Sequence, residues 1–287
     1  MPYGFIKYIE KQNYSAETIT SYQKVINQFF SYIKITYPIN KEPFQISSSD
    51  IKNYLEEQQE KEKSLSTVNK ELAILKTLFN FLWEINKVPV DPAVKLKRYK
   101  IKEKLQIEVS YIQIIDVLNR TLENDYYSPL RKAIFILATK GLKTAEFRFR
   151  KDDVKDLISE EKVEIKLKNR TIVLAGKEVS CFLEYYYEAL LNDSEFVFVT
   201  KPQGEEFGGP IQVMSILNHL RAISHDYLPG VGQSLTLISI RRALAYELYQ
   251  KNYPIQMIAK ELGIEEISAA NYLKQLTEVG VHELQTK

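Results

Sequence analysis

Two neighbouring stretches, Ala138-Thr-Lys-Gly-Leu-Lys-Thr-Ala-Glu146 and Val163-Glu-Ile-Lys-Leu-Lys-Asn-Arg-Thr-Ile-Val-Leu174, decide how this chain folds. The first closes a helical run over 128–140 at Gly141, the residue type that most readily ends a helix. A short helix restarts at 144–149. Then the period changes. Val163, Ile165 and Leu167 alternate with polar residues, Lys168-Asn169-Arg170 reads as a turn, and 171–174 is β-rich, which together signal a hairpin. One hairpin set among helical runs predicts a mostly α protein with a small antiparallel β-sheet.

Outward from that centre, the apolar spacing is helical. Tyr22, Val25, Ile26, Phe29, Phe30 and Ile33 mark a helix over 15–36, with Ser15 as its cap. A second helix is expected over 48–61, started by Ser49 or Asp50. A third runs over about 66–87, with Val68, Leu72, Leu75, Phe79 and Leu82 on one stripe. Residues 1–92 therefore read as a small all-helical domain. On the C-terminal side, helices are expected over 110–123, 178–191, 211–224, 237–251, 254–262 and 266–277, and Phe196–Val199 fits a short strand. Residues 254–277 can also be read as a helix-turn-helix, with Gly263 at the turn.

The chain has 287 residues, 45% of them hydrophobic and 26% charged, as in ordinary globular proteins. At this length about two domains are expected. The single Cys181 excludes a disulfide framework and a Cys-based zinc site. No metal and no cofactor is implied. No apolar run reaches the roughly 18 residues of a membrane span, and no signal-peptide pattern is present, so the expectation is a cytoplasmic protein without a membrane partner. The net charge of +2 conceals an asymmetry: 17 basic against 12 acidic residues over 1–106, and 22 against 25 over 107–287. Lys95, Lys97, Arg98, Lys100, Lys102 and Lys104 follow Pro89 and Pro92, and 93–106 reads as a basic linker to a second domain, 107–287. Arg131, Lys132, Lys140, Lys143, Arg148 and Arg150 form a second basic cluster. Such patches on a near-neutral chain suit a protein that holds a polyanion along one face.

These residues resemble the tyrosine recombinase (phage integrase) family. Ser15, Thr18, Tyr22 and Ser64-Leu-Ser-Thr-Val-Asn-Lys-Glu-Leu-Ala-Ile-Leu75 look like its helical, SAM-like core-binding domain, and Asp91-Pro92 with the basic stretch looks like its linker. In the second domain, the stretch from Ala138 to Glu146 is similar to the Gly-Leu-Arg-x-x-Glu box. The hairpin sits where the family carries a catalytic lysine. Ser239-Ile-Arg-Arg242 resembles the end of the His-x-x-Arg box. Glu261-Leu-Gly-Ile-Glu-Glu-Ile-Ser-Ala-Ala-Asn-Tyr-Leu273 resembles the Leu-Gly-His segment and the tyrosine turn. The resemblance implies a helical core-binding domain followed by a mixed α/β domain of catalytic fold.

In the family, a tyrosine hydroxyl attacks a DNA phosphodiester while two arginines hold the phosphate oxygens with a planar fork that lysine cannot reproduce. On this chain, Lys143 stands at the first arginine. Ile238 stands at the histidine of His-x-x-Arg, and Ile264 at the histidine after Leu-Gly. Arg241 keeps the second arginine, and Arg242 follows it. Lys166 or Lys168 offers the lysine. The tyrosine column falls on Leu273, with Tyr272 one residue early, and a one-residue shift turns a helical side chain by about 100°. The expectation is therefore a site without catalysis, its family positions vestigial, and a chain that is not an enzyme. His219 and His225 read as structural.

The implied partner is double-stranded DNA. Lys97, Arg98, Lys100, Lys143, Arg241 and Arg242 are the expected contacts, with Lys166, Lys168 and Arg170 sharing one face of the hairpin. The primary expectation is a sequence-specific transcriptional repressor or regulator of a prophage or mobile element, similar in kind to the repressors of SPβ-like prophages that reuse this fold. A protein or peptide modulator would then adjust its binding. The alternatives are an active integrase using Tyr272, and an architectural accessory factor in recombination. Leu276, Val279, Val281 and Leu284 in the C-terminal tail would serve docking in a homo-oligomer.

Overall fold

The computed structural model describes residues 2–37, 41–101, 107–157, 160–200, 208–232 and 234–284, with side chains described from 3 to 276. The chain divides into two compact units, Met1–Glu103 and Lys104–Lys287.

Among the described residues, the first unit holds four α-helices: α1 (Phe5–Lys11), α2 (Ala16–Thr36), α3 (Ser48–Glu60) and α4 (Leu65–Glu84). Serines start three of them. Ser15, Ser47 and Ser64 accept hydrogen bonds from the backbone N–H of Thr18, Asp50 and Thr67, each cap stabilising by about 1 kcal/mol. The start of α3 is Ser47, not Ser49 or Asp50. Asp50 sits three residues in and accepts the Ser47 backbone N–H at 2.8 Å. Phe5, Ile26, Phe29, Tyr54, Leu75 and Phe79 are fully buried in the core between these helices.

Residues 93–101, expected as tether, pack on this unit. Ala93 is fully buried, and Leu96 and Tyr99 lie against the core. Ser48 Oγ donates to the Pro92 carbonyl at 2.6 Å. Asn69 on α4 clamps Tyr99 through both its side-chain atoms, at 2.9 and 2.8 Å, as a neighbouring strand would. Lys97, Arg98 and Lys100 remain exposed. Lys102 and Lys104 lie outside the described residues.

The second unit contains α5 (Tyr111–Leu122), α6 (Pro129–Thr139), α7 (Lys177–Leu190), α8 (Val213–Tyr227), α9 (Leu237–Gln250), α10 (Ile255–Leu262) and α11 (Glu266–Leu284). Ser110, Ser128 and Thr236 cap α5, α6 and α9. Helix α6 carries Ala133–Ala138 at full burial and forms the centre of the core. The expected hairpin is present as β2 (Lys162–Lys166) and β3 (Thr171–Ala175), and a third antiparallel strand, β1 (Val154–Leu157), extends it in the order β1-β2-β3. Phe196–Val199 forms no strand; Phe196 and Val199 make single bridges to Arg150 and Pro210.

The register corrects one expectation. Val163 pairs with Leu174 and Ile165 with Ile172, and the Leu167 N–H donates to the Arg170 carbonyl at 2.8 Å. Arg170 therefore stands opposite Leu167, on the buried face with Ile172 and Leu174. Lys166 and Lys168 stay on the open face. Alternation holds along a strand, but the turn lies between Lys168 and Arg170 and reverses the parity.

The second basic cluster is also no single surface. Lys132 is buried and donates to the Leu122 carbonyl at 2.9 Å. Lys140 pairs with Glu178 at 2.8 Å, and Arg131 lies over the Tyr127 ring. Lys143 and Arg148, in contrast, line one cleft.

Candidate active site

The site grows from the break after α6. Gly141 takes a left-handed conformation, φ +73°, and its carbonyl is aimed at two guanidinium groups. Arg241 Nη1 donates to it at 2.5 Å and Arg170 Nη2 at 3.0 Å. The chain then runs through Lys143 into a short 3₁₀ turn, Thr144–Arg148. Glu146 closes this turn by accepting the Lys143 backbone N–H at 2.8 Å.

A second left-handed glycine, Gly263 at φ +58°, ends α10. Its carbonyl accepts Lys143 Nζ at 3.2 Å, and the Leu262 carbonyl accepts Arg241 Nη2. The two helix breaks thus present carbonyl oxygens that gather Lys143, Arg170 and Arg241, three cations around the single carboxylate of Glu146. Burial first, and then the Arg241 charge, push the Lys143 ammonium below its ordinary pKa; Glu146 opposes this and Arg170 adds to it. Burial likewise lowers Arg241, with Arg170 adding to the effect. Such a cluster is short of negative charge. Among the described residues, only two of the five Arg241 N–H groups are engaged.

Tyr272 on α11 packs beside the apolar cluster of Leu244, Leu262 and Leu273. Its side chain is half-buried. Burial raises its pKa, while Arg242, Arg241 and a hydrogen bond with Arg242 act to lower it. The Tyr272 hydroxyl is near enough to Arg242 and Arg241 for both charges to act on it. Leu273 takes the inward direction instead, packing in an apolar cluster with Leu244, Ala245, Ile258, Leu262 and Leu276. Leu276, expected to dock on another copy, is buried within its own chain. The side chains of Val279, Val281 and Leu284 lie outside those described. Ile238 is 61% exposed on the first turn of α9, three residues before Arg241, and Ile264 packs beside the same apolar cluster. Both put hydrocarbon at the positions where the resemblance implies histidines.

Beside the cations opens a cleft of about 490 Å³, lined by Lys143, Glu146, Arg148, Asp153, Lys166 and Lys168 among others. The hairpin lysines and Lys143 therefore meet at one place. Arg170 does not reach that cleft; its side chain is 3% exposed. Sequence reasoning missed Glu146 as an organiser and Arg170 as an inward group. The turn register held the only signal for Arg170. His219 is half-buried, its pKa lowered by burial and by Arg131, while His225 pairs with Asp226. Among the described residues no three His, Cys, Asp or Glu side chains group as metal ligands, and no helix is long and apolar enough to cross a membrane.

Comparison with known proteins bears on the fold. Residues 3–85 match the family described as phage integrase, N-terminal SAM-like domain. The tyrosine recombinase XerD of Listeria monocytogenes is 22% identical over 94% of this chain and 92% of its own. A putative tyrosine recombinase of Caldanaerobacter subterraneus is 22% identical over 99% of this chain and 96% of its own. Among solved structures, the Tn1549 transposon integrase in complex with transposon right end DNA superposes with a TM-score of 0.69, at 13% identity, over 97% of each chain. A lambda integrase dimer bound to a core site gives 0.65 at 15% identity, over 93% of this chain and 92% of that one. The relatives overturn the expectation of a chain that is not an enzyme: they carry the names of tyrosine recombinases, which are enzymes.

Proposed function

We propose that the chain is a member of the tyrosine recombinase family and acts as a site-specific recombinase of double-stranded DNA with Tyr272 as nucleophile. The observation that carries this reading is the Tyr272 hydroxyl beside Arg242 and Arg241. The phenol oxygen attacks a backbone phosphorus and gives up its proton, a tyrosyl-phosphate bond forms, and the bond from phosphorus to the leaving sugar oxygen breaks as that oxygen takes up a proton and departs as a hydroxyl. Negative charge grows on the non-bridging oxygens in the transition state, where preorganised donors count most. Arg241, with N–H groups to give, and the desolvated Lys143 ammonium are the donors. Lys143 offers a point charge in place of a fork. Lys166 and Lys168 carry the backbone along the cleft, while Lys97, Arg98 and Lys100 supply phosphate contacts from the first unit. The reading includes a cytoplasmic location.

A suicide-nicked duplex tests it. Wild-type protein is expected to trap a covalent protein–DNA adduct, and Tyr272→Phe is expected to lose it. An adduct that persists in Tyr272→Phe would refute the assignment. Control of transcription by occupying an operator of a mobile element stands as a second reading. It is favoured by hydrocarbon at Ile238 and Ile264, where proton-carrying imidazoles would serve a faster enzyme. It requires no absence of chemistry, and a short, reproducible genomic footprint beside promoters is the result that supports it.

A further inference from the structure

Every N–H of the Arg170 guanidinium is used inside the protein. Nε donates to Glu146 Oε1 at 3.3 Å and Nη2 to Glu146 Oε2 at 3.1 Å. Nη2 also donates to the Gly141 carbonyl at 3.0 Å, and Nη1 to the carbonyls of Lys140, at 3.1 Å, and Glu261. A guanidinium has five N–H groups, so none is left for a phosphate. The side chain is 3% exposed, and the space it fills depends on a missing methyl: a Cβ on Gly263 would lie 3.0 Å from Arg170 Cδ.

We infer that Arg170 is a positioning residue of this site, a clamp that fastens the hairpin and the α10–α11 turn to the break after α6 without touching DNA. It builds on the recombinase reading and names what holds that site together. Three separate segments meet on this one planar group. The hairpin brings Arg170 itself, and with it Lys166 and Lys168. The break after α6 brings Lys140, Gly141 and Glu146. The end of α10 brings Glu261 and, two residues on, Gly263, whose carbonyl holds Lys143. Arg170 and Arg241 share the Gly141 carbonyl, so the position of one guanidinium constrains the other. A bidentate fork is needed for such a junction; a lysine would reach one acceptor at a time.

The charges that act most on Lys143 are Glu146 from its own turn, Arg241 from α9 and Arg170 from the hairpin, while the Gly263 carbonyl beyond α10 holds it and Arg148, Asp153, Lys166 and Lys168 line the same cleft. Of the three that act most, two are positive and one negative, so removing each has a sign. Losing Arg170 raises the Lys143 pKa. Losing the Glu146 charge lowers it further. Mere loosening of the site would move both variants the same way, upward, toward the ordinary lysine value.

Two measurements on the full chain decide the matter. The first is binding to a fluorescent 30-base-pair duplex of arbitrary sequence as a function of salt. Arg241→Ala is expected to reduce the slope of log affinity against log salt by about 1, as for a lost phosphate contact; Arg170→Gln is expected to leave the slope unchanged. A slope reduced by about 1 in Arg170→Gln would overturn the clamp. The second is NMR titration of the Lys143 ammonium. Arg170→Gln is expected to move it up and Glu146→Gln to move it down; an upward shift in Glu146→Gln would overturn the inference. If Arg170→Gln does not fold, Arg170→Lys keeps the charge and loses the fork. It is then expected to speed amide hydrogen exchange over 138–143 and 261–263, and unchanged exchange would count against the clamp. Neither measurement needs catalysis. A wild-type chain that traps no covalent adduct would sink the recombinase reading and leave the clamp to be judged on these results.

Discussion

Replacing Gly263 by alanine tests the junction at its tightest point. Gly263 holds φ +58° at the end of α10. The added Cβ would stand 3.0 Å from Arg170 Cδ, 3.1 Å from Nε and 3.2 Å from Glu146 Oε1. An alanine in the left-handed region costs about 1–2 kcal/mol from the backbone alone. The methyl also pushes the guanidinium off Glu146, and hydrogen bonds between charged groups contribute about 1.5–3 kcal/mol. The expected loss is roughly 2.5–5 kcal/mol. For a unit of this size about 2–4 °C follows each kcal/mol, so the melting temperature of the second unit should fall on the order of 10 °C. Scanning calorimetry and urea titrations measure it, with Trp83 fluorescence reporting the first unit separately. The same substitution in an Arg170→Ala background should keep only the backbone part, about 1–2 kcal/mol. Equal losses in both backgrounds would refute the claim that Arg170 occupies the space glycine leaves. A loss below about 0.5 kcal/mol in the wild-type background would refute the left-handed turn itself.

In the first unit, burial pushes the Asp50 carboxyl up, but hydrogen bonds from Lys41, Tyr37 and Ser47 outweigh it and hold it at about 2, below the ordinary 3.8. A folded pKa below the unfolded one stabilises above pH 4 and loses that stability as pH falls from about 4 to 2, here roughly 2 kcal/mol. Urea titrations at pH 7 and pH 2.5 should therefore show Asp50→Asn destabilised at the higher pH, with the gap to wild type reduced to about a third at the lower. Tyr54→Phe removes a buried hydroxyl that donates to Glu71 at 2.9 Å, leaving that buried carboxylate with Lys63 at 2.6 Å; a loss of about 1–3 kcal/mol is expected in the Trp83 unfolding transition. Leu273→Tyr places a larger, polar-tipped ring in the apolar cluster beside Leu244 and Leu262. Overpacking should cost about 1–3 kcal/mol, and a Leu273→Tyr, Tyr272→Phe double variant should trap no covalent adduct; an adduct through residue 273 would refute the placement of Tyr272.

Local signals made most of the helices legible. Ser15, Ser64, Ser110 and Ser128 each precede a run of helically spaced apolar residues, and each caps the expected helix. The hairpin was legible for the same reason, since alternation is written in consecutive residues. What failed to show depended on partners far along the chain. Val154-Lys-Asp-Leu157 carries two charges in four residues and is a strand because β2 completes it. The stretch 93–101 looks like tether until Asn69, thirty residues earlier, takes both backbone groups of Tyr99. Arg170 looked solvent-facing because alternation was carried across a turn. The spacing of four blocks singles out Lys143, Arg241 and Tyr272, but the placement of Lys143 and Arg241 was not legible, because it rests on the carbonyls of two left-handed glycines, Gly263 and Gly141.

The displaced tyrosine shows how side-chain register can be compensated between elements. On a helix, adjacent residues differ by about 100°, so Tyr272 and Leu273 cannot both face inward. Burial settles the choice. Leu273 enters the apolar cluster with Leu244, Leu262 and Leu276, which fixes the rotation of α11 about its axis. Tyr272 is thereby turned to the flank of that cluster, and a phenol on the flank is out of line with a guanidinium placed for position 273. Helix α9 makes the matching change. Arg242 follows Arg241 and is turned by the same 100°, and the Arg242 charge acts on the Tyr272 hydroxyl more strongly than the Arg241 charge does. A tyrosine one residue early is thus met by an arginine one residue late. Read one position at a time, each departure removes a functional group; read as a pair on two packed helices, they bring a hydroxyl and a cation back together.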